Sequence, residues 1–453
     1  MNNKVDRKDR RALVIGGSIS GLFAARVLSD FYDEVIIVER DSLTRENSHR
    51  RGVPQSRHAH GLLAGGSDVL EEMFPGIKTE LLEAGAVPAD VANDGRWFFE
   101  GACLRQAPST TIGLLLSRPL LESVVRGRVR NIDNVTIREN RSVRHLFSSG
   151  GHIKAVRTDD ETIAADLVVD ASGRGSRSLK WLESLRFPAP REERVEIDIS
   201  YTTRIFSRRE SDLNGDLFGV VPATLKNSRS GVILAQENGR WVVTLIGRFG
   251  AQAPEDIDGF LAFAKNLEAP FIYNAIRNAE PIGNAMTMKF PASVRRRYER
   301  LSRIPKGFLV FGDAICSFNP VYGQGMSVAA MLARTLREEL SKGENDLARR
   351  FYKAASKVID TPWALATGND LKIPETKGKR TLGGKIMGWY VGRLHRLAHH
   401  DSQAAFAFLR VAQLLDEPSI LLRPGMVLRV LTAGFRGRSE RPRPIVARDA
   451  TSP

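Results

Sequence analysis

Cysteine is nearly absent from this chain. The two present, Cys103 and Cys316, lie far apart among 453 residues. One bridge between them is open, but no disulfide framework is implied, and such sparse usage points to a reducing cytoplasm. Long apolar runs are missing as well. No stretch of about eighteen apolar residues occurs, which excludes a transmembrane helix. The charged stretch Met1 to Arg11 lacks the apolar core of a secretory signal. Internal repeats, paired carboxylates, a Ser-His-Asp pattern and a metal cluster are missing too. His58 and His60 stand two apart with no Cys or acidic cluster nearby, so zinc is rejected and no metal site is assigned. Acidic residues are outnumbered: 67 Lys and Arg against 52 Asp and Glu give a net charge of +15. That charge permits nucleic acid, anionic lipid or an acidic protein as partner. No nucleic-acid recognition motif accompanies it, so nucleic acid is set aside.

What is present is a chain long enough for two packed domains, or for one large α/β domain with insertions. Its most informative stretch is Gly312-Asp313-Ala314-Ile315-Cys316-Ser317-Phe318-Asn319-Pro320-Val321-Tyr322-Gly323-Gln324-Gly325-Met326-Ser327. The apolar run 307–311 before it reads as a short buried strand, and 328–333 after it as a helix. A glycine-rich helix entry offers unpaired backbone N–H groups and the positive end of a helix dipole. Asp313 at the strand end suits a sugar hydroxyl. Pro320 stiffens the loop, and Gly323 and Gly325 let the backbone approach a planar ligand.

A second nucleotide-type motif lies nearly three hundred residues upstream. Arg11 to Ile15 reads as a strand, Gly16-Gly17-Ser18-Ile19-Ser20-Gly21 as a turn, Leu22 to Asp30 as a helix, and Glu34 to Glu39 as a second strand. This is a βαβ unit, with Glu39-Arg40 about twenty residues past the glycines, where a ribose-binding acid belongs. Ser18 stands where the dinucleotide fingerprint has its second glycine; it is small and can still hydrogen-bond phosphate.

The pair of motifs resembles the flavoprotein monooxygenase superfamily, the FAD enzymes related to aromatic hydroxylases, polyene epoxidases and flavin halogenases. The resemblance implies that Gly16, Ser18, Ser20, Gly21, Glu39 and Arg40 hold the ADP half of FAD. Gly312 and Asp313 would hold the ribityl chain. Pro320, Gly323, Gln324, Gly325 and Met326 would flank the isoalloxazine, with backbone N–H groups stabilising charge on the reduced ring, and Phe318, Asn319 and Tyr322 are candidates to face substrate. The stretch 50–63, with Arg57 among its basic side chains, resembles the corresponding loop of bacterial epoxidases acting on polyketide polyenes. Arg118 matches an arginine that touches FAD at the start of a helix, with Pro119 in the first turn. The strand and glycine loop Ala165 to Arg177 resemble the family's middle motif, through Asp170. Ser172 occupies the position that is usually aspartate, which leaves NAD(P)H as electron donor either directly or through a separate flavin reductase.

The rest of the chain organises around these motifs. Residues 86–106 read as a small strand excursion. Val135-Thr136-Ile137 and Ile153 to Val156 read as strands around a hairpin at Ser148 to Gly151. From Arg194 to about Lys289 the alternation is that of a half-buried antiparallel sheet, and residues 254–266 open a helix. Arg295-Arg296-Arg297 reads as a solvated face. Helices continue to about Lys357, and Thr361 to Asp370 resembles a segment of the same epoxidase branch. Residues 384–433 read as helices, either a lid packing on the core or an amphipathic element in weak contact with a membrane surface. The tail from Arg436 to Pro453 reads as disordered.

The expected fold is therefore α/β: a Rossmann-like FAD-binding domain with an inserted antiparallel β-sheet substrate domain and a C-terminal helical region. FAD-binding segments are expected at 10–90, 111–193 and 291–370, with a substrate-side excursion at 91–110. The substrate sheet is expected at 194–290, a helical lid at 371–435 and the basic tail at 436–453. The implied activity is insertion of one oxygen atom from O2, through a flavin C4a-hydroperoxide, into a small apolar substrate. Epoxidation or hydroxylation of a polyketide or terpenoid comes first, aromatic-ring hydroxylation second and isoprenoid double-bond reduction third. No Trp-x-Trp-x-Ile-Pro stretch occurs, which speaks against halogenation.

Overall fold

The computed structural model describes residues 9–43, 50 and 52–436. Of the expected disordered tail, 436–453, Arg436 ends the last helix and 437–453 lie outside the described residues. Five apolar segments too short to be helices pair into one parallel sheet. Its spatial order is Phe308–Val310, Leu167–Asp170, Arg11–Ile15, Glu34–Val38, Val135–Arg138. The inner strands are buried on both faces, as a sheet covered by helices on each side requires. Helix Ile19–Leu28 buries eight of its ten residues against it, and the two-residue strand Cys316–Ser317 and helix Gly325–Ser341 follow the last sheet strand.

A second sheet of eight strands stands beside the first. Its centre is the trio Pro281–Arg296, Glu192–Ser207 and Arg240–Arg248, paired antiparallel. Strand 316–317 pairs with its edge, so the stretch between Gly312 and Gly325 joins the two sheets. At the far edge, Gly95–Phe99 and Ala102–Cys103 fulfil the expected strand excursion. Helices Ile257–Lys265 and Phe271–Ile276 cover the apolar cluster of this sheet, the first capped by the Asp256 carboxylate on Gly259 N–H at 2.7 Å. Cys103 and Cys316 are both free.

Three expectations need correction. Arg295-Arg296-Arg297 is not a solvated face: Arg295 is buried and pairs with Asp360 at 2.7 Å, while Arg296 and Arg297 are held against Glu192 and Glu193. The strand Val135–Arg138 joins the parallel sheet, and the hairpin at 148–151 is closed by a different strand, His145–Ser149, paired with His152–Arg157. Its sequence, His-Leu-Phe-Ser-Ser, carries too few apolar residues to announce a strand. Nor do the helices stop near Lys357. One helix runs from Leu347 to Asp370 straight through Pro362. Proline removes one backbone N–H, but buried Ile359, Ala366, Thr367 and Asp370 anchor the helix on both sides of it. The C-terminal helices Leu382–Ala398, Ser402–Ala412 and Pro424–Arg436 share one apolar cluster with Ala92 and Leu104 of the strand excursion. No helix among the described residues is long and apolar enough to cross a membrane.

Candidate active site

The turn after the first strand is set by contacts that leave no room for side chains. Gly16 has φ +102°, and its N–H donates to Val38 O at 2.9 Å, tying the turn to the neighbouring strand. A Cβ on Gly21 would stand 1.8 Å from Gly16 O, so the helix lies directly on the turn. Gly312, at φ +63°, sits where a Cβ would meet Ser20 Oγ at 2.6 Å. The two motifs, nearly three hundred residues apart in sequence, therefore touch backbone to side chain.

Between them opens a cleft of about 400 Å³. Gly16, Ser18, Ser20, Glu39, Arg40, Arg118 and Asp313 all line it, bringing together seven of the residues singled out in the sequence. Arg141, Arg144, Arg174 and Arg177 complete a wall of six guanidiniums, against the three carboxylates Glu39, Asp41 and Asp313. Glu39 accepts Gly17 N–H at 2.6 Å and Asp41 N–H at 3.0 Å. A carboxylate has about four acceptor sites, so room remains for a diol. Burial raises the Asp313 carboxyl pKa, opposed by Arg118 and Arg174.

Ser18 has a partner on each side. Arg118 donates to its Oγ at 2.9 Å, and the Oγ donates to Glu122 at 3.1 Å. Glu122 is the hub of a buried cluster with Arg50, Arg118 and Arg126. Burial raises its pKa, but Arg118, Arg50 and Arg126 outweigh that and hold it below the usual carboxylate range. Glu122 and Arg126 were not singled out beforehand. Their signal was present, since 118, 122 and 126 follow each other four apart on one helix face.

A polar helix N-terminus, a strand-end acid and a cationic wall fit a dinucleotide diphosphate with its sugar. The model of the FAD binding domain family matches residues 9–351. The chain belongs to that family. It is 34% identical to Protein Rv3254 of Mycobacterium tuberculosis, over 99% of each chain. It is 23% identical to the FAD-dependent monooxygenase asqG of Emericella nidulans, over 73% of this chain and 60% of the relative. The flavin-dependent brominase Bmp2 superposes with a TM-score of 0.67 at 12% identity, covering 94% of this chain and 99% of that one; this likeness concerns the fold alone.

For FAD, the remaining expected residues divide. Gly323 is left-handed (φ +64°), and the helix it precedes, Gly325–Ser341, starts with no side-chain cap, which leaves first-turn N–H groups for a ligand. Gln324 is buried, and its Oε1 has no partner. Gly325 lies beside Asp313: a Cβ there would be 3.7 Å from its Oδ1. Met326 is buried in the core behind, and Pro320 is exposed at the turn.

The structure places five of the expected residues elsewhere. Asp170 is fully buried behind the cleft; its carboxylate accepts Ser172 Oγ–H at 2.5 Å and Ser176 Oγ–H at 2.6 Å, so it shapes the loop 172–176. Arg57 points its guanidinium at Met286 Sδ, 3.3 Å away on the second sheet, and does not line the cleft. Phe318 belongs to the buried core. Asn319 is also wholly buried. It accepts Tyr201 O–H at 2.9 Å and donates to both oxygens of Asp370, while Tyr322 O–H donates to the same carboxylate at 3.0 Å. Arg248 pairs with Asp370 at 3.0 Å. Asn319 and Tyr322 thus point their polar groups into a structural network. A carboxylate at the end of a helix whose sequence contains a proline gave no sequence sign of this role.

Proposed function

We propose that this protein is an FAD-dependent monooxygenase that places one oxygen atom from O2 into a small apolar substrate, by epoxidation or hydroxylation. The observation that carries the reading is one cationic cleft in which Ser18 and Ser20 of the first motif and Arg118 of a later helix meet Asp313 of the second motif. The named activity of the Emericella relative supports it.

Arg118, Ser18 and the N-terminus of helix Ile19–Leu28 would hold the diphosphate, and Glu39 the adenosine ribose. Asp313 would take the ribityl hydroxyls. The turn 320–325 would present backbone N–H groups to the ring. Bound there, FAD supplies electron storage and oxygen activation. The chain's own share is to position substrate and exclude water, and the buried apolar cluster around Tyr201 and Phe290 on the second sheet would form that dry side. An apolar alkene needs no base for oxygen delivery, which agrees with the lack of paired carboxylates in the sequence.

Anaerobic mixing of purified protein with NADPH, watching the oxidised-flavin band, tests the cofactor and donor together. Bleaching without substrate means that the loop around Ser172 admits the nicotinamide. Bleaching only after a flavin reductase is added means a two-component system. Absence of any flavin band after FAD is supplied overturns the reading. Electron consumption without oxygen uptake, when substrate is present, favours a double-bond reductase instead.

A further inference from the structure

Twelve large hydrophobic side chains are exposed among the described residues, and seven of them fall between Leu382 and Leu431. Leu382 (79% exposed), Ile386 (67%) and Trp389 (53%) follow each other at helical spacing along Leu382–Ala398, on one face. The strip continues onto helix Pro424–Arg436. Arg393 lies 5.3 Å over the Trp389 ring and donates to Leu431 O at 3.1 Å, and Leu428 (63% exposed) stands one turn before Leu431. The first six residues of helix Leu382–Ala398 are all exposed. They include Gly383 and Gly384, poor helix formers that contribute no packing of their own. A contiguous apolar strip of this kind on a soluble fold marks a docking surface.

Charge decides the occupant. Residues 376–400 contain Lys377, Lys379, Arg380, Lys385, Arg393 and Arg396 and no acid. Arg380 is occupied by backbone carbonyls and Arg396 by Glu100. Lys379 and Lys385 stand exposed beside the strip. A second copy docking through a twofold axis would set this cationic face against itself. Apolar and aromatic side chains flanked by lysines, on a helix lying across the surface, match an anionic bilayer interface. We propose that this face seats the protein on an anionic lipid surface, with the helix in the plane of the interface. The patch is separate from the cleft, so the assignment stands whatever the cleft binds.

Co-sedimentation of the full chain with vesicles tests it. Phosphatidylcholine vesicles with about 30% phosphatidylglycerol should capture the protein, pure phosphatidylcholine much less, and added salt should release it. Ile386→Glu should weaken capture by about tenfold. Lys385→Glu should weaken it on the anionic vesicles alone. Both side chains are exposed, so the thermal midpoint should not move. Absence of capture overturns the proposal, and equal capture by neutral vesicles overturns its anionic part. A doubling of mass in light scattering that Ile386→Glu abolishes overturns it in favour of a second copy.

Discussion

Asn319 is held by both oxygens of Asp370, at 3.0 and 3.2 Å, although 51 residues separate them. The Asn319 Oδ1 in turn accepts Val321 N–H, and Tyr322 O–H reaches the same Asp370 carboxylate. One carboxylate thus clamps the short turn Pro320–Tyr322 at both ends, just before the helix entry that would face the flavin. Burial raises the Asp370 pKa, opposed by Arg248 and these hydrogen bonds. Asp370→Asn leaves the Arg248 guanidinium buried without its counter-charge. The expected cost is about 3 kcal/mol, read by urea unfolding of the flavin-free protein. Weaker FAD binding should accompany it. Combining it with Arg248→Met should recover part of the stability, because the uncompensated charge is then gone. If the double variant is no more stable than Asp370→Asn, the ion pair is not what the network depends on.

The glycines separate a structural from a ligand role. Gly21→Ala puts a methyl 1.8 Å from Gly16 O, against backbone that cannot yield. Loss of soluble, folded protein is expected, seen by expression and circular dichroism. Gly325→Ala meets only Asp313 Oδ1 at 3.7 Å, an ordinary contact. The flavin-free protein should keep its thermal midpoint, while FAD affinity falls by about tenfold, or about 1.4 kcal/mol. Flavin fluorescence titration reads this, and unchanged affinity would remove the helix entry from the flavin site.

The nucleotide motifs were legible because their chemistry is local. A βαβ unit needs its glycines and its acid within one short segment, and the Gly312-Asp313 strand end needs only its own flanks. The arrangement around Glu122 was half legible: helical spacing linked it to Arg118 and Arg126, but nothing in sequence brought Arg50 to it. The clamp on the turn was not legible. It joins a strand, a turn and a helix end whose approach is decided by packing of the two sheets, and Pro362 hid the helix that delivers Asp370. Asn319 next to Pro320 looked like a pocket residue for the same reason, since sequence position near a flavin loop does not say which way a side chain turns.

Glu122 offers a test of how protein charge and ligand charge trade places. It is 3% exposed and meets Arg50, Arg118 and Arg126. Glu122→Gln leaves three guanidiniums facing one another, with an expected loss of about 3 kcal/mol. A diphosphate bound at Arg118 and Ser18 would restore part of the missing negative charge. ADP should therefore raise the melting temperature of the variant more than that of the wild type. Equal shifts would mean that the ligand's phosphates do not reach this cluster.

His395 makes the C-terminal helices sensitive to acid. Its ring stacks on Phe99 at 4.4 Å and meets Phe408 edge-on at 4.5 Å, and its Nε2 is buried with no partner. Burial, with Lys372, His399 and Arg396 adding, pushes its pKa down from 6.5 to about 3. The folded state therefore holds the neutral ring while the unfolded chain takes up a proton near pH 6.5. Stability from this group is fully present above that pH. It is lost as pH falls toward 3, at up to about 1.4 kcal/mol per unit. Asp170, Asp313 and Asp370 act in the opposite sense, since burial raises each of them. The contribution of His395 is therefore isolated by comparison with His395→Phe, which keeps the aromatic packing and cannot be protonated. Urea unfolding at pH 7 and pH 5 should show the wild type losing about 2 kcal/mol more than the variant. Parallel losses would mean that the ring is reached by water or that these helices open before the rest of the chain unfolds.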